Sequence, residues 1–481
     1  MKVYDAIVIG SGPNGLSAAI MFALNGLSVL VLEEKEKIGG GARTEELTLP
    51  GFHHDVCSTI HPLGIGSPFF KKLPLSDYGL EWIHPIVPLA HPYDDGSCFV
   101  MEQSLDKTLE SLGIDGKAYR DLFAPFVNNW PLLEETILGP ITFPKHPIIA
   151  SKFALKGIQS AYSLVNKYFR DEKTRGYFAG LAAHSILPLN QRMTAAIGLV
   201  LGILGHVYGW PMPKGGSQRI TKALSDYLIN LGGEITTGFR VDSLKDIPDA
   251  KTILFDLTPK QVVKIAGDHL SEHYVGKLNR FRYGPGVFKI DWALDAPIPW
   301  KARECLKAGT VHVGGTFNEI AESEAAVWKG KQIKKPFILV AQNSLFDETR
   351  APKGKHTAWA YCHVPNGSQE DMTREIELQI SRFAPHFQRH ILARSTKNTL
   401  EMHHYNSNYI GGDITGGVQD FWQTIFRPTS IFEPYATSNP KIYICSSSTP
   451  PGAGVHGMCG YHAAKLALKK VFGINHKWDR S

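Results

Sequence analysis

Asp5-Ala6-Ile7-Val8-Ile9-Gly10-Ser11-Gly12-Pro13-Asn14-Gly15 opens the chain almost at once, and its reading decides the fold. Residues 6–9 form a short unbroken apolar run, as expected of a strand buried on both faces of a parallel sheet. The Gly-x-Gly-x-x-Gly turn follows, and residues 16–25 then read as a helix with small residues at Ser17, Ala18 and Ala19. Gly26 ends that helix, and residues 28–33 make a second buried strand that finishes on an acid, Glu33. Together these make a βαβ unit. Gly10, Gly12 and Gly15, with Pro13 and Asn14, let backbone N–H groups approach a pyrophosphate at the positive end of a helix. Glu33 is placed to accept hydrogen bonds from an adenosine ribose. A glycine fingerprint alone is weak, but one set between strand and helix and followed by an acid-ended strand predicts dinucleotide binding.

Downstream, Gly39-Gly40-Gly41-Ala42-Arg43-Thr44 is a second close-approach loop. From about residue 75 to 211 the pattern turns to helices and irregular turns rich in Pro, His and aromatics, which predicts an insertion. Lys214-Gly215-Gly216-Ser217 then opens an amphipathic helix, and residues 252–255 form another apolar strand. Alternating segments at 287–292, 337–340 and 357–361 predict an antiparallel sheet with one covered face. A strand at 442–444 and a helix at 458–472 close the chain. The fold class is α/β. A Rossmann-like, glutathione-reductase-type dinucleotide domain is built from three pieces (1–75, 213–286 and 427–481). A mixed α+β substrate domain comes from two (76–212 and 287–426).

The 481 residues allow two or three domains, and 43% hydrophobic with 20% charged residues is ordinary globular composition. A net charge of +6 is mild, and no basic block interleaves aromatics, so nucleic-acid binding has no support. The six cysteines form no Cys-x-x-Cys pair, which fits a reducing compartment. The opening residues run directly into a strand, leaving no room for a signal peptide, so a cytoplasmic location is expected. The longest apolar stretch, 195–210, is shorter than the roughly 20 residues that span a bilayer.

FAD and NAD share the fingerprint, and three features favour FAD. Gly40, Gly41 and Arg43 follow soon after the acid, where a second loop covers the pyrophosphate and Arg43 pairs with it. No second Rossmann unit is evident. The turn 449–458 precedes a helix, so the N–H groups of Gly454, Val455, Gly457 and Met458 stabilise negative charge on a reduced flavin.

At these residues the chain resembles the phytoene-desaturase-like branch of the flavin amine oxidase superfamily. The matching segments are the opening fingerprint, Gly-Gly-Gly-Ala-Arg-Thr at 39–44, His-Asp-Val-Cys-Ser at 54–58, Asn-Tyr-Ile-Gly-Gly-Asp-Ile at 408–414, and the run 445–464. The resemblance spans the chain. It implies non-covalent FAD in a three-piece domain, a substrate domain over the reactive face, and further cofactor contacts from Ser58, Thr59 and Val241. One departure is that the last strand ends in Cys445-Ser446-Ser447-Ser448, not in a Gly-Asp, which leaves the local phosphate contacts open.

The resemblance also bears on catalysis. Amine oxidases of the superfamily hold a strand lysine near the flavin, and Lys289 occupies a similar place. Desolvated there, it would titrate low and act as base or electrostatic stabiliser; the alternative is a strand lysine paired with an acid. His456 lies inside the flavin-facing turn and is the second catalytic candidate. His53, His54, His61 and Asp55 look like a metal cluster, but adjacent histidines cannot share a strand face, so no metal is expected. His184 and His206 fall in apolar surroundings, either lining a cavity or serving as core histidines. Cys459 is read as a buried thiol, not a flavin attachment point. The stretch 195–204 has three readings: an internal helix, the wall of a tunnel, or a peripheral membrane contact.

The function expected is that of an FAD-dependent oxidoreductase of dehydrogenase or desaturase type, accepting hydride from an apolar or amphipathic substrate. Three alternatives stay open: an amine oxidase using oxygen, a flavin-bound protein with a regulatory role, and a binding module like the GDP dissociation inhibitors. The electron acceptor (oxygen, quinone or protein) and the oligomeric state are not readable.

Overall fold

The strand Tyr4–Ile9 is the middle of a five-stranded parallel sheet in a computed structural model that describes residues 3–476. Its neighbours are Ala250–Phe255 on one side and Val29–Leu32 on the other; Ile442–Ile444 and Glu234–Thr236 form the edges. The strands thus come from three separated stretches of chain.

The helix Pro13–Ala23 explains its own composition. Every residue from Asn14 to Ala23 is buried, because the helix is covered by the sheet and by the helices Gln218–Asn230 and Met458–Phe472. A Cβ on Gly460 would lie 1.8 Å from the Asn14 carbonyl oxygen, so the first and last helices touch backbone to backbone. Their N-terminal ends consequently lie side by side.

A seven-stranded sheet builds the second layer. Its order is Ile391–Lys397, Gly286–Leu294, His356–Val364, Ile338–Ala341, Ala308–Val313, Val87–Pro92 and Cys98–Met101. The expected antiparallel segments are present. The last two strands, however, come from the region read as helices and turns, where Pro88 and Pro92 disguise a fully buried strand. Val87–Pro92 also pairs parallel with Ala308–Val313, so the sheet is mixed.

The insertion is otherwise helical. Tyr119, Phe123, Phe126, Trp130, Tyr177 and Phe178 are fully buried in its core, each side chain adding about 2–3 kcal/mol by burial. The helix Thr194–Val207 packs there through its glycines, because a Cβ on Gly202 would meet Phe123 at 2.6 Å and one on Gly198 would meet Phe178 at 3.0 Å. Ala195, Leu199 and Ile203 belong to this core, while Ala196, Ile197, Val200 and Leu201 on the other side line a cavity. The stretch 195–204 is thus an internal helix on one side and a cavity wall on the other.

Candidate active site

The two glycine loops face each other. A Cβ on Gly40 would lie 3.1 Å from the Gly12 Cα, and one on Gly41 would lie 2.1 Å from the Tyr409 hydroxyl. Gly10 adopts φ +104°, a region L side chains avoid, and its N–H donates to the Leu32 carbonyl at 2.8 Å. At the end of the second strand, Glu33 accepts from the Ser11 hydroxyl (2.5 Å) and N–H (3.0 Å), from Lys35 N–H (2.9 Å), and from Arg43 Nη2 (3.1 Å). Arg43 is therefore paired with Glu33, and its guanidinium lies 5.3 Å from the Tyr405 ring centre. Gly10, Gly12, Glu33, Gly40, Arg43 and Val241 all line one narrow pocket of about 70 Å³.

Asp256, directly after the strand Ala250–Phe255, is a site residue that sequence reading missed. Its Oδ2 accepts from the Gly15 N–H at 3.0 Å, and a Cβ on Gly12 would lie 2.5 Å from that oxygen. Burial pushes its carboxyl well above the ordinary carboxylate range, and Glu33 adds to the shift against the opposing Gly15 and Gly12 N–H groups. A neutral acid at this crossing does not repel a pyrophosphate. The available signal was an acid directly after an apolar strand, 252–255, the same strand-end position that Glu33 holds.

Beyond the loops lies a cavity of about 710 Å³, mostly apolar in lining. Gly12, Gly40, Asp256, Asn406 and Asn408 line both spaces, so narrow pocket and cavity form one cleft. Pro13, Asn14, Gly41, Ser58, Thr59, Gly454, Val455 and His456 line the cavity. Gly15, Gly457 and Met458 lie behind these walls and shape them. Gly457, at φ +69°, leaves no room for a Cβ between Ser17 and Phe70, and the Met458 N–H donates to His456 Nδ1 at 3.0 Å. That bond fixes the His456 tautomer: Nδ1 accepts, so Nε2 carries the hydrogen. Burial lowers His456 to about 4, so its imidazole is neutral.

Lys289 is not on the cavity wall. Its ammonium meets both carboxylate oxygens of Asp291 at 2.5 Å, with both side chains 1% exposed, and it lies 5.2 Å from the Trp359 ring centre. Residues i and i+2 of a strand share a face, which brings this pair together. Burial lowers the lysine from its ordinary value, opposed by Asp291. It therefore takes the acid-paired geometry, beside Trp359 and opposite Tyr361 on the neighbouring strand, both of which line the cavity.

The histidine segment disperses its side chains. His54 approaches Asp291 (3.6 Å), His61 bonds Ser217 (2.8 Å), and Asp55 pairs with Arg350 (2.9 Å) where both are fully buried. Asp55 also accepts from Thr59 Oγ1 (2.8 Å), which in turn accepts from Trp359 Nε1 (2.6 Å), fixing the indole over the cavity. His206 bonds the Tyr119 hydroxyl (2.9 Å) inside the insertion core. The Cys459 thiol turns to the Thr449 and Gly452 carbonyls (3.5 and 3.6 Å), away from the cavity.

These residues fit FAD. The narrow pocket at Glu33 lies where the adenosine end would reach from the glycine loops, the opposed loops suit the pyrophosphate, and the wider cavity beneath the last helix suits the isoalloxazine with a substrate beside it. Asn14 Oδ1 is a buried acceptor without a partner among the described residues, on the wall where the two spaces meet.

A family model described as an NAD(P)-binding Rossmann-like domain matches residues 8–73. Pyridine nucleotide-disulfide oxidoreductase domain-containing protein 2 of Mus musculus is 24% identical, over 97% of this chain and 94% of its own. A 4,4'-diapophytoene desaturase (4,4'-diapolycopene-forming) of Methylomonas sp is 22% identical with the same coverage. Among solved structures, wild-type putrescine oxidase bound to putrescine superposes with a TM-score of 0.63 at 14% identity, covering 98% of this chain and all of its own. The chain is thus similar to desaturase-like relatives along nearly its whole length, and it shares its fold with putrescine oxidase.

Proposed function

We propose that this chain is an FAD-dependent oxidoreductase of dehydrogenase or desaturase type that takes hydride from an apolar or amphipathic organic substrate. The observation that carries this reading is the shared cleft, in which an apolar cavity of about 710 Å³ opens onto the paired glycine loops and the leading end of the last helix. FAD, when bound, supplies the two-electron acceptor. The protein's part is to position and to exclude water. Leu133, Ile137, Phe153, Ile197, Val200 and Leu201 wall the substrate space. Trp359 is locked by Thr59, and the Lys289–Asp291 pair, with the ammonium 5.2 Å from its ring centre, acts as a positioning element for it. The Nε2–H of His456 is the donor offered to negative charge at the helix end.

An amine oxidase using oxygen is the second reading, favoured by the likeness to putrescine oxidase. Against it, Asp256 is the one carboxyl group that lines the cavity among the described residues, and it lies at the pyrophosphate crossing. The purified protein should be yellow and should release FAD on denaturation. Anaerobic bleaching by apolar substrates supports the first reading, oxygen uptake with amines the second, and bleaching by neither a regulatory role.

We further propose a peripheral membrane contact at the cavity mouth. No described helix is long and apolar enough to cross a membrane. Phe143, Ile148 and Leu155 are 89%, 76% and 71% exposed, and Lys145 and Lys152 lie among them. They flank or belong to the helix Pro147–Gly157; its Ala154, and Ile158 just beyond it, are both exposed and cavity-lining. Apolar tips with adjacent lysines suit an anionic lipid surface, and the mouth would then take substrate from it.

A further inference from the structure

A pair of histidines sits in the cavity wall farther along the substrate sheet. His184, at the C-terminal end of the helix Glu172–Ala183, lines the cavity, and its Nε2 lies 3.0 Å from Nε2 of His312 on the strand Ala308–Val313. One of these nitrogens must donate and the other accept. The other nitrogen of His312 decides which. His312 Nδ1 is buried without a partner among the described residues, pressed toward the helix so that a Cβ on Gly180 would lie 2.5 Å from it. A buried N–H with no acceptor costs more than a bare acceptor nitrogen, so His312 keeps its hydrogen on Nε2 and donates it to His184. His184 must then carry its own hydrogen on Nδ1, for which no protein acceptor exists among the described residues.

Thr310, two residues before His312 on the same strand and so on the same face, adds a second donor. It lines the cavity, is 4% exposed, and its Oγ1 has no partner among the described residues. Two unspent donors therefore stand in a wall otherwise made of Ile186, Trp210, Leu339 and Ala341. No lysine or arginine lines the cavity among the described residues. Both histidines are held neutral, His184 lowered to about 3 by burial and His312 displaced in the same direction. A carboxylate would find no countercharge here, whereas an uncharged oxygen would find two donors.

Resting on the oxidoreductase reading above, we infer that His184 and Thr310 form a subsite for a neutral oxygen function, a carbonyl or hydroxyl, borne on the substrate's apolar chain. The substrate class is thereby narrowed from hydrocarbon to oxygenated amphiphile.

The test uses the FAD-loaded protein and displacement of the neutral dye Nile red by undecane, 2-undecanone and undecanoate. The ketone is expected to displace the dye at least about tenfold more tightly than the alkane, with undecanoate weaker than the ketone. In His184→Phe/Thr310→Val, with FAD content and melting temperature checked, the ketone advantage should shrink to within about twofold; Thr310→Val alone should give an intermediate ratio. Equal displacement by alkane and ketone in the wild type would overturn the subsite while leaving the cavity in place. Displacement by none of the three would overturn the apolar cavity's role, and the oxidoreductase reading with it.

Discussion

A methyl group placed on Gly12 would lie 2.5 Å from Oδ2 of Asp256. One carboxyl from the middle of the chain thus sets the clearance of a turn at its beginning. The two glycines of that turn are constrained differently: at Gly15 a Cβ would lie 2.1 Å from the Gly10 carbonyl oxygen, which is backbone.

Gly12→Ala should lose most of its FAD, and Gly12→Ala/Asp256→Ala should regain part of it because a side chain is the obstacle. Gly15→Ala should lose FAD in either background. Flavin absorbance per polypeptide after gel filtration measures this; a yellow Gly15→Ala protein would refute the turn's assigned place.

Lys289→Met should destabilise the protein by about 3–5 kcal/mol, since it strands a buried carboxylate. Lys289→Met/Asp291→Leu should recover much of that. Reoxidation of the reduced flavin by oxygen should change little in the double variant. A tenfold slower reoxidation with normal stability would instead restore the amine-oxidase role for this lysine.

Stability should fall on acidification. His61, His91, His206, His456 and His462 are each lowered by burial to about 4 from 6.5. A group depressed in the folded state contributes stability that is full above about pH 6.5 and is lost as pH falls toward 4. The slope is about 1.4 kcal/mol per pH unit for each histidine that the unfolded chain protonates. Asp256 and Asp291, both raised by burial, pull the other way but are outnumbered by these histidines. Denaturant midpoints at pH 7.5 and 5.5 decide it; equal midpoints would show the histidines titrating freely in the folded protein.

His456→Leu should keep its FAD but slow anaerobic reduction about tenfold or more, because the donor at the helix end is removed. His456→Asn, which retains an N–H, should lose less. Stopped-flow traces with a substrate found by the bleaching screen give the rates, and identical rates in all three proteins would remove His456 from the chemistry.

Phe143→Ser/Ile148→Ser/Leu155→Ser should reduce co-sedimentation with anionic phospholipid vesicles at least about tenfold, with an unchanged melting temperature. Wild-type protein that stays in the supernatant would dismiss the membrane contact.

Local pattern made the dinucleotide half legible. Residues 6–9 and Glu33 announce themselves by unbroken apolarity and a strand-end acid, and helix 458–472 by its glycine turn. Asp256 likewise follows an apolar strand, but the glycine whose N–H it accepts, Gly15, is remote in sequence, so no local pattern ties it to the site. The Lys289–Asp291 pair needed only period-two reasoning, but whether the ammonium meets an acid or the cavity depends on how neighbouring strands pack. The strand Val87–Pro92 was hidden by its prolines, and its pairing partner Ala308–Val313 lies far along the chain. The His184–His312 pair joins a helix end to a strand across the cavity, a juxtaposition no spacing rule encodes.

The absence of any gap between Gly460 and the Asn14 carbonyl has a bearing on biosynthesis. The helix Pro13–Ala23 is synthesised long before the helix Met458–Phe472 that covers it, so the surface it presents is unfinished until residues near 460 have emerged and docked. Coenzyme loading therefore waits on that docking, and polypeptides truncated before residue 458 should be colourless and open at the parallel sheet.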